Sequence, residues 1–181
     1  MSAVHASQPD TPAAEAAAIL PAISAFLFEE ARLMDSGRMT EWVALLTEDI
    51  HYFMPAQPAI YRRNLTGVNN ERKMAFYDDD LVMIQRRVAR MIHPTAWSED
   101  PGTRMVHQIS NIEVQPTGTA GEWRVFSVAV VFRSRNEADN DTLWARREDI
   151  LRSSDGSFRL AKRVVTLAHN LLTNKNLNVF I

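Results

Sequence analysis

"TLWARREDILRSSDGSFRLAKRVVTLAH", residues 142–169, sets two runs of alternating apolar and polar residues on either side of SSDGS. Alternation marks a strand with one buried face, and Asp-Gly between two such runs is the strongest short-range signal for a hairpin. A two-residue turn at Asp155-Gly156 gives a register with Asp149 opposite Lys162 and Glu148 opposite Arg163. Such complementary pairs contribute ~0.2–1 kcal/mol each. The same register places Arg152 beside Arg159, which is unfavourable and leaves a one-residue slip or bulge open. Charge reversal at Arg163 with a compensating reversal at Glu148 tests the pairing.

Upstream, "RMVHQISNIEVQP" (104–116) and "EWRVFSVAVVFRSRN" (122–136) are long, rich in β-branched and aromatic residues, and separated by TGTAG. They extend the hairpin into an antiparallel sheet. Before residue 95 the period changes. In "PAISAFLFEEARLMDSG", Ile23, Phe26, Leu27, Ala31 and Met34 recur every three or four residues, a helical stripe that Gly37 stops. "TEWVALLTEDI" reads as a second short helix capped by Thr40, with Trp42, Leu45 and Leu46 inward, and "HYFMP" as a short strand ended by Pro55. Residues 56–75 show turn residues without period, a long loop.

"FYDDDLVMIQRRVARMIHP", 76–94, gathers three aspartates, arginines and a histidine, and invites a metal or acid–base reading. Helix termination accounts for it better. Asp78 reads as the N-cap, with Asp79 and Asp80 in the first turn. Leu81, Ile84, Val88 and Met91 form one apolar face, and Arg86, Arg87 and Arg90 lie in the last turns. Pro94 ends the helix near His93, about 20 Å along the axis from Asp78 at ~1.5 Å per residue, too far for one ion to bridge.

Helices followed by antiparallel strands make an α+β protein, with helices on one face of a curved sheet. Residues 1–14, rich in Ala, Ser and Pro, are expected as a flexible tail and residues 15–181 as a single domain. The end of the sequence, "NLLTNKNLNVFI", alternates apolar Leu177, Val179 and Ile181 with Asn176, Asn178 and Phe180. Chain ends are ordinarily polar and frayed, so this one is expected to be buried in the sheet or at a subunit contact.

The 181 residues carry 17 Arg against 3 Lys and a net charge of −2, which gives no footprint for nucleic acid or anionic membrane. No apolar run reaches the ~18 residues of a membrane span, and the start lacks a secretory pattern. A cytoplasmic protein is expected. The chain holds no cysteine, so thiolate zinc sites and iron–sulfur ligation are excluded. Its five histidines, His5, His51, His93, His107 and His169, show no metal-ligand spacing. G-x-S-x-G, G-x-G-x-x-G and P-loop motifs are absent. One constellation stands out. Asp49, His51 and Tyr52 in "EDIHYF" could serve a free-standing isomerase or dehydratase as acid, base and hydrogen-bond donor. Strand alternation argues against it, because His51 and Tyr52 would point to opposite faces.

The run "EEARLMDSGRMTEWVALLTEDIHYFMP" resembles the small (beta) subunits of Rieske-type aromatic-ring-hydroxylating dioxygenases. "FYDDDLVMIQRRVARM", "RREDILR" and "NKNLNVFI" match in the same order, so the resemblance covers about residues 25–181. It implies the cone-shaped α+β fold of nuclear transport factor 2 (NTF2-like, cystatin-like), shared with ketosteroid isomerase and scytalone dehydratase. It also implies a self-associating trimer bound to a large (alpha) subunit, commonly as an alpha3beta3 hexamer. That partner would carry the Rieske 2Fe–2S cluster and the mononuclear iron, and the holoenzyme would convert arenes to cis-dihydrodiols with NADH and O₂. The resemblance brings no catalytic, cofactor-binding or metal residue to this chain.

Overall fold

The computed structural model describes residues 11–56, 74–93, 102–135, 140–169 and 177–181. Helix α1 (Thr11–Asp35) and the short α2 (Met39–Val43) lead into strands β1 (Leu46–Pro55) and β2 (Ala75–Asp79). Helix α3 (Leu81–Met91) then precedes the four long strands β3 (Arg104–Pro116), β4 (Glu122–Ser134), β5 (Asn140–Ser154) and β6 (Ser157–Leu167). They form one six-stranded sheet in the order β2-β1-β6-β5-β4-β3. Helix α1 packs across β3 and β6, and α3 against β1, so the helices share the sheet's inner face. This is the α+β arrangement expected. The sheet differs in being mixed, because β1 runs parallel to β6 while the other pairings are antiparallel.

Helix α1 starts at Thr11, inside the expected tail, and runs through Pro21. Residues 1–10 lie outside the described residues, as does most of the expected 56–75 loop. By length and composition, Pro12–Asp35 is apolar enough to cross a membrane, contrary to the expectation that no stretch is. Its second half carries the expected stripe: Ile23, Phe26, Leu27, Ala31 and Met34 are buried. Gly37, with φ of 70°, ends it in a Schellman motif, Arg38 N–H donating to Leu33 O (2.9 Å) and Gly37 N–H to Met34 O (3.1 Å).

Three local expectations shift. Thr40 is not a cap: α2 begins at Met39 and has no side-chain cap. The following LTEDI is strand, because β1 pairs with β6 from Leu46 onward, and that ladder outweighs a short helix's propensity. FYDD is likewise strand, pairing with β1 through Tyr77–Met54, Asp78–Phe53 and Asp79–Tyr52. The cap of α3 therefore moves from Asp78 to Asp80, whose carboxylate accepts from Met83 N–H at 2.8 Å. Asp79 is buried and pairs with Arg87, and Asp78 meets His51. Asp80→Ala should lower stability by about 0.5–2 kcal/mol through the lost cap. Asp78→Ala, breaking an exposed pair, should change it by less than about 1 kcal/mol. Urea midpoints of the two variants check this, and a larger loss at Asp78 would reverse the assignment.

The opening hairpin keeps its turn and changes its register. Asp155 and Gly156 both have positive φ, 48° and 80°, as a type I′ turn requires. Near the turn the expected pairs form, Arg152–Arg159 among them. Arg152 is compensated by Asp49 and Glu122, at 2.7 and 2.9 Å. Between Leu151 and Ile150 the register slips by one at Ala161, so Asp149 faces Arg163 instead of Lys162, and Glu148 faces Val164. A bulge re-aims every side chain beyond it. Here it turns Arg163 inward and Lys162 outward. The charge-reversal rescue between Glu148 and Arg163 is accordingly not expected to work.

Candidate functional site

The inner face of the sheet carries most of the buried polar groups among the described residues. Alternation brings Tyr52 from β1, Tyr77 from β2, His107 from β3, Ser127 from β4, Arg147 and Asp149 from β5, and Arg163 from β6 to the same side. Glu30 and Trp42 reach them from α1 and α2.

Arg163 is the centre. Its guanidinium donates to both oxygens of Glu30 (2.7 and 2.8 Å) and both of Asp149 (2.8 and 2.7 Å), with Trp42 Nε1 adding a bond to Glu30 at 3.1 Å. Arg147 donates through Nε to Ser127 Oγ (3.1 Å). Its Nη1 and Nη2 lie 3.6 Å from Glu30 and 3.7 Å from Asp149, ion-pair range without a hydrogen bond. All four charged side chains are essentially inaccessible, and two carboxylates balance two guanidiniums.

Burial alone would raise the Glu30 pKa. The charges of Arg163 and Arg147, with hydrogen bonds from Arg163 and Trp42, overcome burial and lower it to about 2. Burial also opposes the charge on Arg163, yet Asp149 and Glu30 hold its pKa well above normal. Burial depresses that of Arg147, helped by the neighbouring Arg163. Burial raises both phenols, Tyr52 and Tyr77. Because the folded-state value of Glu30 lies below the ordinary 4.5, its stabilisation is complete above that pH and is lost as pH falls toward 2. At ~1.4 kcal/mol per unit, the loss is about 3 kcal/mol. Denaturant titrations over that acid range should show this slope in the wild type and a flatter one in Glu30→Gln.

The sequence's last five residues, 177–181, run into the interior beside this cluster. Val179, Phe180 and Ile181 are buried. The Phe180 ring centroid lies 4.5 Å from Trp42, 5.5 Å from Tyr52 and 5.7 Å from Tyr77. Tyr77 OH donates to the carbonyls of Leu177 and Val179, the latter at 3.0 Å. His107 Nε2 meets Phe180 O at 2.9 Å, while its Nδ1 meets Asp35 Oδ1 at 2.6 Å. Tyr52 OH donates to Ile181 O (3.1 Å) and accepts from Ile181 N–H (2.9 Å). The burial expected of this segment is thus against its own chain.

Asp49, His51 and Tyr52 do not converge. Asp49 is exposed and paired with Arg152; His51 is exposed, 2.8 Å from Asp78 Oδ1 and stacked on Phe53. Tyr52 alone enters the cone, where Ile181 occupies its hydroxyl. Of the groups that converge, Tyr52 is legible in the sequence as a candidate and Trp42 as inward-facing, whereas the cluster of Glu30, Arg147, Asp149 and Arg163 is not. Glu30 had a signal, since it lies on the stripe of Ile23, Leu27 and Met34, where an apolar residue belongs. Among the described residues, no group of three His, Asp or Glu is placed to hold a metal ion. The residues present do not fit a Rieske cluster, which needs two cysteines the chain does not have.

Comparison with known proteins accords with this geometry. The family described as "Ring hydroxylating beta subunit" matches residues 29–174. Biphenyl 2,3-dioxygenase subunit beta of Rhodococcus jostii (strain RHA1) is 37% identical over 161 residues, covering 87% of this chain and 86% of its own. The structure of naphthalene 1,2-dioxygenase with indole bound superposes with a TM-score of 0.84 at 21% identity, over 91% of this chain and 86% of that one. A candidate scytalone dehydratase from Novosphingobium aromaticivorans shares the fold at a TM-score of 0.61 and 17% identity, over 84% and 86%. The family match across most of the length, together with that level of identity to a named beta subunit, shows that this chain belongs to the ring hydroxylating beta subunit family.

Proposed function

We propose that the chain is the non-catalytic, structural beta subunit of a multicomponent aromatic-ring-hydroxylating dioxygenase that converts arenes to cis-dihydrodiols. The observation that carries this reading is the burial of Val179–Ile181 in the interior, beside a set of charges neutralised among themselves. The iron chemistry belongs to the partner alpha subunit, which holds the Rieske cluster and the mononuclear iron. The names of the similar proteins favour arenes of the biphenyl and benzene kind. The chain from helix α1 onward acts as one domain in a cytoplasmic alpha3beta3 assembly built on a trimer of this chain.

The outer face of the sheet supports that assembly. Outward-pointing Phe126, Val128, Val130 and Phe132 of β4 run side by side with Val106 of β3 and Trp144 of β5. Phe132, Trp144 and Val106 are 45%, 52% and 58% exposed, a contiguous apolar strip of the sort that marks subunit contacts. We assign it to contact between copies of this chain. Flanking charges of both signs, such as Arg124 and Glu148 at 3.5 Å, suit a polar rim.

Co-expression with the alpha subunit followed by size-exclusion chromatography tests both statements. One co-eluting species is expected, and Trp144→Asp should abolish self-association of the isolated chain while shifting its stability by no more than about 1 kcal/mol. Separate elution of the two chains, with full turnover by alpha alone, would defeat the reading.

A further inference from the structure

We propose that the cone interior is a binding site for an extended apolar peptide bearing an aromatic side chain, and that Leu177–Ile181 is its built-in ligand. The inference does not depend on the dioxygenase reading. It rests on how the segment is held. A core strand satisfies its backbone by pairing with a neighbouring strand, whereas this segment has its carbonyls met by side chains of four strands. Tyr77 of β2 serves Leu177 O and Val179 O, His107 of β3 serves Phe180 O, and Tyr52 of β1 with Arg163 of β6 serves Ile181 O.

Two of these donors, His107 and Arg163, are fixed independently of the segment. Asp35 at the end of α1 holds the His107 ring through Nδ1 and also accepts the His107 backbone N–H at 3.1 Å. Glu30 and Asp149 hold Arg163. Phe180 then drops into a box of Trp42, Tyr52 and Tyr77. Main-chain contacts from fixed donors plus a pocket for one side chain is how receptors hold extended peptides. Tethering makes the encounter intramolecular, at an effective concentration on the order of millimolar, so the site is filled by default. The same donors and box fit the corresponding segment presented from outside.

Hydrogen exchange read by mass spectrometry on the intact chain tests this, with and without a synthetic, isotope-labelled peptide Leu-Asn-Val-Phe-Ile at millimolar excess. The fragment covering 177–181 is expected to exchange through an opening that leaves the amides of β4 and β5 protected. Added peptide should speed that exchange several-fold by capturing the opened site, and a peptide with alanine in place of phenylalanine should not. The proposal is overturned if 177–181 exchanges only when the sheet does, if neither peptide has an effect, or if both act alike.

Discussion

Arg163→Leu is expected to destabilise the isolated chain by about 3–5 kcal/mol, because it leaves two carboxylates buried without their principal cation. Glu30 and Asp149 are inaccessible, and each accepts two short bonds from this one guanidinium. Arg147 cannot substitute, since its terminal nitrogens stand 3.6–3.7 Å away and its Nε is committed to Ser127. Lys162→Leu, one residue earlier and outward-facing, should change stability by less than about 0.5 kcal/mol. The contrast isolates the effect of the bulge at Ala161. Urea denaturation of both variants supplies the measurement, and near-equal losses would mean that Arg163 is not the buried cation. A Glu148→Lys, Arg163→Glu double variant should recover nothing, since Glu148 is exposed and faces Val164.

Phe180→Ala should lower stability by about 3–5 kcal/mol, the usual effect of emptying a buried aromatic site. The ring lies within 6 Å of Trp42, Tyr52 and Tyr77, and its removal leaves that box without its centre. Phe132→Ala on the outer face is the control, with an expected loss under about 1 kcal/mol in the isolated chain, because that ring is 45% exposed. Thermal unfolding of the isolated chain separates the two. If Phe180→Ala left stability unchanged and weakened only assembly, the segment would belong at a subunit contact. Deleting Leu177–Ile181 is expected to act the same way as Phe180→Ala, through the fold of each chain before any effect on oligomers.

The long strands were legible because period-2 patterning over a dozen residues leaves few alternatives. The β3 bounds, 104–116, coincide with those read from the pattern, and the Asp155-Gly156 turn is the one its chemistry demands. Errors cluster where local preference was weak or outvoted. LTEDI and FYDD can each begin or extend a helix, and pairing with β6 and β1 makes them strand. Asp80 caps instead of Asp78 for the same reason, since residues hydrogen-bonded in a ladder cannot also start a helix turn.

The sequence alone determined the fold class, the hairpin and its turn, the absence of thiolate ligands and the family resemblance, because each follows from local pattern or residue type. Three matters were settled only by tertiary structure: which cation enters the interior, where Asp49, His51 and Tyr52 point, and what fills the cone. Each depends on a register shift or on contacts between residues far apart in the chain. One bulged residue exchanges Lys162 for Arg163 at the centre, and residues 177–181 reach partners on strands that begin as far back as Leu46. Neither leaves a periodic signal, because the physics that selects them is burial and hydrogen bonding among segments that meet only after folding.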